Sequence, residues 1–293
     1  MLSDGNGGAS ETTRGRIITG LRDHHPELKS DWLLRGDADL ALAAVVTSAH
    51  ARVVVASDFD GTLAEIVARP DLAQPAPGAL AVLGRLVESA ARVLVISGRE
   101  ESDLARLLPL AGLGLHGDFG LQQPTPAELA ALADCERRLR EEFGSDSRVM
   151  VETKRAALSL HFRSHPAMAS ELLRRAVSLA AEHGLLATPG RAVVEIRPRR
   201  ASKATALDRL LQGLGPDAVV YAGDDEADRE VFGLLALSST PSLAIGVDSS
   251  EVDPGVFREC DLLVDGPRGV IELFRRLAER LDRSGRADPA VGA

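Results

Sequence analysis

The chain has 293 residues, 45% hydrophobic and 26% charged, with 34 basic side chains against 43 acidic ones and a net charge of −9. That balance argues against nucleic acid or an anionic membrane as the main partner, so an anionic small molecule would have to be met by a local cluster of cations. No run approaches the ~18 apolar residues of a membrane span, and Cys135 and Cys260 are too few for a disulfide framework or a metal site.

The length leaves room for one domain of about 200 residues and a smaller one. Residues 1–30 read as a partly disordered N-terminal segment, polar and without an apolar leader core, and 283–293 as a disordered tail, so the expected location is cytoplasmic. Between Asp31 and about His50 the apolar positions Trp32, Leu33, Leu34, Leu40, Leu42, Val45 and Val46 predict a helical segment. The run Val53-Val54-Val55-Ala56-Ser57 predicts a buried strand. It feeds directly into Asp58-Phe59-Asp60-Gly61-Thr62. Pro70, Pro75 and Pro77 punctuate the next connection, followed by a helix from Gly78 to Ser89, a strand from Arg92 to Ile96, a helix from Ser102 to Leu108 and a strand from Gly112 to His116. Strand and helix alternating at this spacing predict an α/β fold built on a doubly wound parallel sheet.

The rhythm changes near residue 120. A helix from Ala127 to Phe143, strands at 149–152 and 156–162, a helix from Pro166 to His183 and strands at 185–188 and 192–196 predict an inserted α+β cap over residues 121–199. The parallel pattern then resumes with a helix from Ser202 to Leu211, the strand Ala218 to Ala222, a helix from Glu226 to Leu235, the strand Ser242 to Val247 and a final helix from Val270 to Leu281. The core is therefore expected from 31–120 and 200–282.

The chemistry-bearing residues sit where these strands end. Two carboxylates two residues apart, Asp58 and Asp60, can divide the work of nucleophile and general acid/base. A calcium loop would need a Glu eleven residues on, where the chain has Arg69. Ser97 ends the second strand, where its hydroxyl could reach a phosphate oxygen. Lys203 opens a helix, and the chain has only three lysines, Lys29, Lys154 and Lys203, so a surviving lysine calls for a reason. Gly223-Asp224-Asp225-Glu226-Ala227-Asp228 adds acids that could not cluster with Asp58 and Asp60 unless a hard dication sat among them, for which Mg2+ is the natural choice. Asp224 is expected as a direct ligand, with Asp225 or Asp228 behind it.

Taken together, these four elements in this order resemble the haloacid-dehalogenase-like phosphatases. On the inserted segment, Glu152-Thr153-Lys154, His161-Phe162-Arg163 and Val194-Glu195-Ile196-Arg197-Pro198, with the closing Gly-Asp-Asp-x-x-Asp, resemble the trehalose-6-phosphate phosphatase family. The resemblance implies an Mg2+-dependent phosphatase acting through an aspartyl-phosphate, with Asp58 as nucleophile, Asp60 as acid/base, and Thr62, Ser97 and Lys203 holding the phosphate. It implies metal ligands among Asp58, Asp60, Asp224 and Asp225. Substrate contacts are implied for Ser97, Gly98, Arg99, His116, Glu152, Lys154, Arg163 and Glu195, the substrate being a small disaccharide phosphate, and a functional link to a trehalose-6-phosphate synthase is implied. Three departures stand against the family pattern: Phe119 where a Glu is usual, Ala204 where a Gly is usual, and Ala227 where a Thr is usual. Two readings stay open beside this one. The same chemistry could act on another sugar phosphate, or on a trehalose-like pseudodisaccharide phosphate, and the chain could be an idle regulatory partner of a synthase.

Overall fold

The structure, a computed structural model, describes residues 32–48, 52–67, 69–90, 92–190, 192–249 and 252–285. The expected N-terminal segment 1–30 and residues 286–293 of the expected tail lie outside the described residues.

The first half of the core comprises β1 (Leu33–Arg35), α1 (Ala38–Ser48), β2 (Val53–Ser57), α2 (Ala79–Ser89), β3 (Arg92–Ile96), α3 (Glu101–Leu107) and β4 (Leu113–His116). After an intervening segment, the chain continues as α6 (Lys203–Leu214), β9 (Ala218–Gly223), α7 (Glu226–Leu237), β10 (Ser242–Asp248), β11 (Leu262–Asp265) and α8 (Gly266–Gly285). The seven strands form one sheet in the order β1-β11-β10-β9-β2-β3-β4, all parallel except β1, which runs antiparallel to β11. Strand residues alternate between two cores, as a period of two requires. Val53, Val55, Val93, Val95 and Val220 pack with α1, α2 and α8. Val54, Ala56, Leu94, Ile96, Val219 and Tyr221 pack with α6 and α7 on the other face. Helices on both faces explain why all five residues of β2 are buried and why its sequence is a continuous apolar run. The chain leaves β2 toward β3 in one direction and returns beside it as β9, which places the topological switch point, and hence the ligand crevice, at the carboxyl ends of β2 and β9.

The intervening segment holds α4 (Pro126–Phe143), β5 (Met150–Thr153), β6 (Leu158–His161), α5 (Ala169–Glu182), β7 (Leu185–Gly190) and β8 (Val193–Pro198). Its antiparallel sheet, in the order β5-β6-β8-β7, buries Leu158, Leu160, Val194 and Ile196 against Leu132, Leu139, Leu172 and Leu179 of the two helices. The opposite face of that sheet carries Glu152, Ser159, His161 and Glu195, by the same alternation.

Three sequence expectations are corrected. The segment 31–50 is not one helix: Gly36 takes a left-handed φ of 89°, and a Cβ there would lie 2.5 Å from a Leu262 methyl, so the chain breaks after β1 before α1 begins. The strand β11 went unpredicted, because four residues, Leu-Leu-Val-Asp, are too short to show a period. The last helix starts at Gly266 and runs through residues 283–285 of the expected tail.

Candidate active site

The residues around the switch point are placed by tight local geometry. At the end of β2, Asp58 N–H donates to the Ala222 carbonyl of β9 at 2.9 Å. The chain then turns over the buried Phe59, whose carbonyl accepts from Leu63 and Ala64 N–H at 2.8 and 3.0 Å, and Gly61 supplies the left-handed φ of 80° that the turn requires. Asp58 is thereby buried, while Asp60 is half-buried.

Lys203 is the first residue of α6, whose start is capped by the Ser202 hydroxyl. Its ammonium is 2% exposed and stands 2.9 Å from Asp228 Oδ1, 3.1 Å from Asp58 Oδ1 and 3.6 Å from Asp225 Oδ1. Burial works against that charge, but Asp225, Asp228 and Asp58 outweigh it and hold the ammonium well above its ordinary range. Asp225 caps α7 by accepting from Ala227 and Asp228 N–H at 3.0 and 3.1 Å. Asp228 reaches back over the turn, accepting from Asp224 and Asp225 N–H on one oxygen and from Lys203 and the Tyr221 hydroxyl on the other. Thr62 donates from its hydroxyl to Asp224 Oδ1 at 3.2 Å.

The charge count at this point is lopsided. Burial raises the Asp58 carboxyl well above its ordinary value, with Lys203 opposing and the neighbouring Asp228, Asp225 and Asp60 adding to the rise; burial likewise lifts Asp228 to about 6. Asp58, Asp224 and Asp228 are all buried and each offers a carboxylate oxygen within 4.8 Å of the others. Several buried carboxylates around one ammonium are the donor set a hard dication such as Mg2+ needs. Asp60 and Asp225 stand outside that group of three: Asp60 meets Arg99, and one Asp225 oxygen is occupied by the α7 cap.

Ser97 lies at the end of β3, 1% exposed, with its N–H on the His116 carbonyl at 3.0 Å and its hydroxyl accepting from Arg99 N–H. The Arg99 guanidinium grips Asp60 with both arms, at 2.6 and 2.7 Å, and donates to the Pro70 carbonyl at 3.0 Å. A cavity of about 220 Å3 opens between this end of the parallel sheet and the polar face of the antiparallel one. Ser97, Gly98, Arg99, Glu152, Lys154, Arg163 and Glu195 all line it together with Asp58, Asp60, Lys203, Asp224 and Asp225; Thr62 and His116 do not. The His116 ring lies outside, its pKa lowered by burial.

On the antiparallel face, Lys154 Nζ donates to Glu195 Oε1 at 2.7 Å and approaches the Gly98 carbonyl at 3.4 Å, and the Ser159 hydroxyl donates to the same Glu195 oxygen at 3.0 Å. One position noted in the sequence only as a departure also shapes the cavity. Phe119 lines it in a left-handed conformation (φ 57°), with the buried Arg197 guanidinium 4.7 Å from its ring centre. Its neighbour Asp118 is buried and accepts from Arg155 Nε at 2.9 Å, which ties the antiparallel unit to the parallel one. Tyr221 was also missed; a lone tyrosine in an otherwise apolar strand signals a phenol in need of a buried partner.

An antiparallel insert over a parallel sheet whose central strand ends in paired aspartates is the architecture of haloacid-dehalogenase-like hydrolases. The fold matches a haloacid dehalogenase-like hydrolase from Bacteroides thetaiotaomicron (TM-score 0.54, 16% identity, covering 77% of this chain and 99% of that one). It also matches the C-terminal domain of Candida albicans trehalose-6-phosphate phosphatase (TM-score 0.67, 20% identity, covering 83% and 97%). In sequence, the chain is 33% identical over 247 residues to a trehalose-phosphate phosphatase of Mycolicibacterium paratuberculosis, covering 77% of this chain and 62% of that protein. It is 31% identical over 244 residues to the one of Mycobacterium tuberculosis, covering 76% and 61%. The chain thus spans less than two thirds of the length of these relatives. The model of the trehalose-phosphatase family matches residues 56–255. The chain belongs to the trehalose-phosphatase family.

Proposed function

We propose that the chain is an Mg2+-dependent phosphatase that hydrolyses trehalose 6-phosphate to trehalose and phosphate through an aspartyl-phosphate on Asp58. The observation that carries the reading is the set Asp58, Lys203 and Asp224 at the floor of a cavity, backed by the buried Asp228, with carboxylates on the opposite wall. Asp58 and Asp224 would hold the ion, with Asp60 and Asp225 next to them and Asp228, whose two oxygens are both engaged, fixing the turn behind Asp224; Mg2+ would supply neutralisation of the transferring phosphoryl group. The chain's own residues do the rest. Lys203 keeps the Asp58 oxygen in place and takes up part of the phosphate's charge. Attack of that oxygen on phosphorus breaks the bond to the sugar oxygen, and a proton from Asp60 goes to the departing alkoxide. Water then attacks the acyl-phosphate, Asp60 takes its proton, and phosphate leaves. For Asp60 to reach either oxygen, Arg99 must release it, and the substrate's phosphate is the anion that can take the guanidinium over.

The insert acts as a cap, with Glu152, Lys154, Arg163 and Glu195 turned to the sugars and water excluded above Asp58. The pairing of Lys154 with Glu195 supports this, since burial opposes the lysine's charge and Glu195 restores it. The enzyme works in the cytoplasm beside a trehalose-6-phosphate synthase that would supply its substrate; among the described residues no helix is long and apolar enough to cross a membrane. The fold also resembles the C-terminal domain of a Candida albicans trehalose synthase regulatory protein (TM-score 0.64, 16% identity). The intact set of Asp58, Asp60, Lys203 and Asp224 favours catalysis over an idle role. The test is inorganic phosphate release from trehalose 6-phosphate. Release with Mg2+ is expected to fall to background with chelator and by at least ~10^3-fold in Asp58→Asn; turnover that survives either treatment contradicts the proposal.

A further inference from the structure

On the cavity side of the antiparallel sheet two carboxylates are held in the same manner. Glu195 has one oxygen fixed by Lys154 and Ser159. Glu152 has Oε2 fixed by His161 Nε2 at 2.7 Å. The register explains the second pair: Glu152 faces Ser159 and Met150 faces His161, so Glu152 and His161 are diagonal neighbours on one face of β5 and β6, within reach of long side chains. Both line the cavity. An ionised carboxylate can only accept, so the proton in this contact belongs to His161 Nε2. His161 is also the main cause that lowers the Glu152 carboxyl, ahead of Lys154 and Arg99, while burial opposes it.

The two walls of the cavity have opposite chemistry. The floor, with Lys203, Arg99 and the Ser97 hydroxyl, would suit an anion once a dication sits among its aspartates. The Glu152 and Glu195 carboxylates would repel one, and they suit the hydroxyl hydrogens of the neutral part of a substrate. A carboxylate on an open strand face has several rotamers; tying one oxygen fixes its direction and leaves the lone pairs of the other to accept from a hydroxyl.

We propose that His161 is a positioning residue for sugar recognition: its Nε2–H locks the Glu152 carboxylate in the orientation that accepts a hydroxyl of the sugar distal to the phosphate. The inference rests on the disaccharide-phosphate reading above and assigns His161 no part in phosphoryl transfer.

The test compares trehalose 6-phosphate with p-nitrophenyl phosphate, which has the phosphate but no hydroxyls. In His161→Leu, KM for trehalose 6-phosphate is expected to rise about tenfold with kcat within about twofold, so that its kcat/KM relative to p-nitrophenyl phosphate falls about tenfold. His161→Gln carries an amide N–H at the reach of Nε2 and is expected to recover most of the loss. In a Glu152→Ala background, His161→Leu should add nothing further, because the two residues act as one unit. An unchanged KM, an equal loss on both substrates, or a glutamine variant no better than leucine overturns the proposal. Wild-type protein that hydrolyses p-nitrophenyl phosphate but not trehalose 6-phosphate would overturn the substrate assignment instead. The role of His161 would then be read by the same ratio on whichever sugar phosphate the wild type turns over.

Discussion

Lys203 carries more of the site than any other residue: among the described residues it is the only lysine in the cavity floor, it is buried, and carboxylates of Asp58, Asp225 and Asp228 stand around it. Removing one partner of such a cluster leaves like charges buried together, which typically costs about 3–5 kcal/mol. Lys203→Met should therefore lower the melting temperature of metal-free protein by roughly 10 °C at neutral pH, given ~2–4 °C per kcal/mol for a chain of this size. Mg2+ should restore part of that loss, because a dication replaces the missing positive charge. Thermal melts of both proteins with and without Mg2+ check it; a variant as stable as wild type without metal would show that Lys203 balances nothing.

Asp58, Asp60, Ser97, Lys203 and Asp224 were legible because each sits at a fixed offset from an apolar strand or a helix start, and that local frame dictates where the side chain goes. Asp228 was harder to place than Asp225, since which acid of the run Asp224-Asp225-Glu226-Ala227-Asp228 turns inward depends on the geometry of the α7 cap. Arg155 and His161 had no such frame. Their roles depend on how the inserted sheet folds back over the core, a contact between positions far apart in sequence.

At the scale of elements, α4 and the linker after β8 are joined by one local device. Thr125 and Glu128 form a reciprocal cap at the start of α4, and Arg200 grips the Glu128 carboxylate at 2.7 and 2.9 Å. Arg200 holds that carboxyl at about 2, well below the usual range, with the Thr125 contacts adding to it. A depressed carboxylate contributes stability above its unfolded value of ~4.3, and the contribution is lost as the pH falls toward about 2. Because the pair is exposed, solvent screens it and its contribution is small. Glu128→Gln should melt about 2 °C below wild type at pH 7, and the gap should narrow steadily from pH 5 to pH 2.5. A gap that stays constant across that range would mean the charge is not what holds the linker. The long amphipathic elements were legible from their period, whereas β1 and β11 were not, as three- and four-residue strands take their identity from the neighbours they pair with.

At the scale of the whole molecule, the cavity lies between the carboxyl ends of the parallel strands and the polar face of the antiparallel sheet; in the proposed function the first is the reactive end and the second the selective end. Arg155 on Asp118 and Lys154 near the Gly98 carbonyl bind the two together, and Arg200 on Glu128 ties the linker after β8 to α4. Phe119, where the family has a Glu, lines the cavity beside that junction, so the substrate is the point at which this chain could depart from its relatives. The most direct measurement is kcat/KM for phosphate release from trehalose 6-phosphate beside sucrose 6-phosphate, glucose 6-phosphate and a pseudodisaccharide phosphate, all with Mg2+. Trehalose 6-phosphate is expected to lead glucose 6-phosphate by at least ~10^2-fold, since a single ring offers fewer hydroxyls to the Glu152 and Glu195 carboxylates. Equal turnover of the four, or a clear preference for another member, would contradict it.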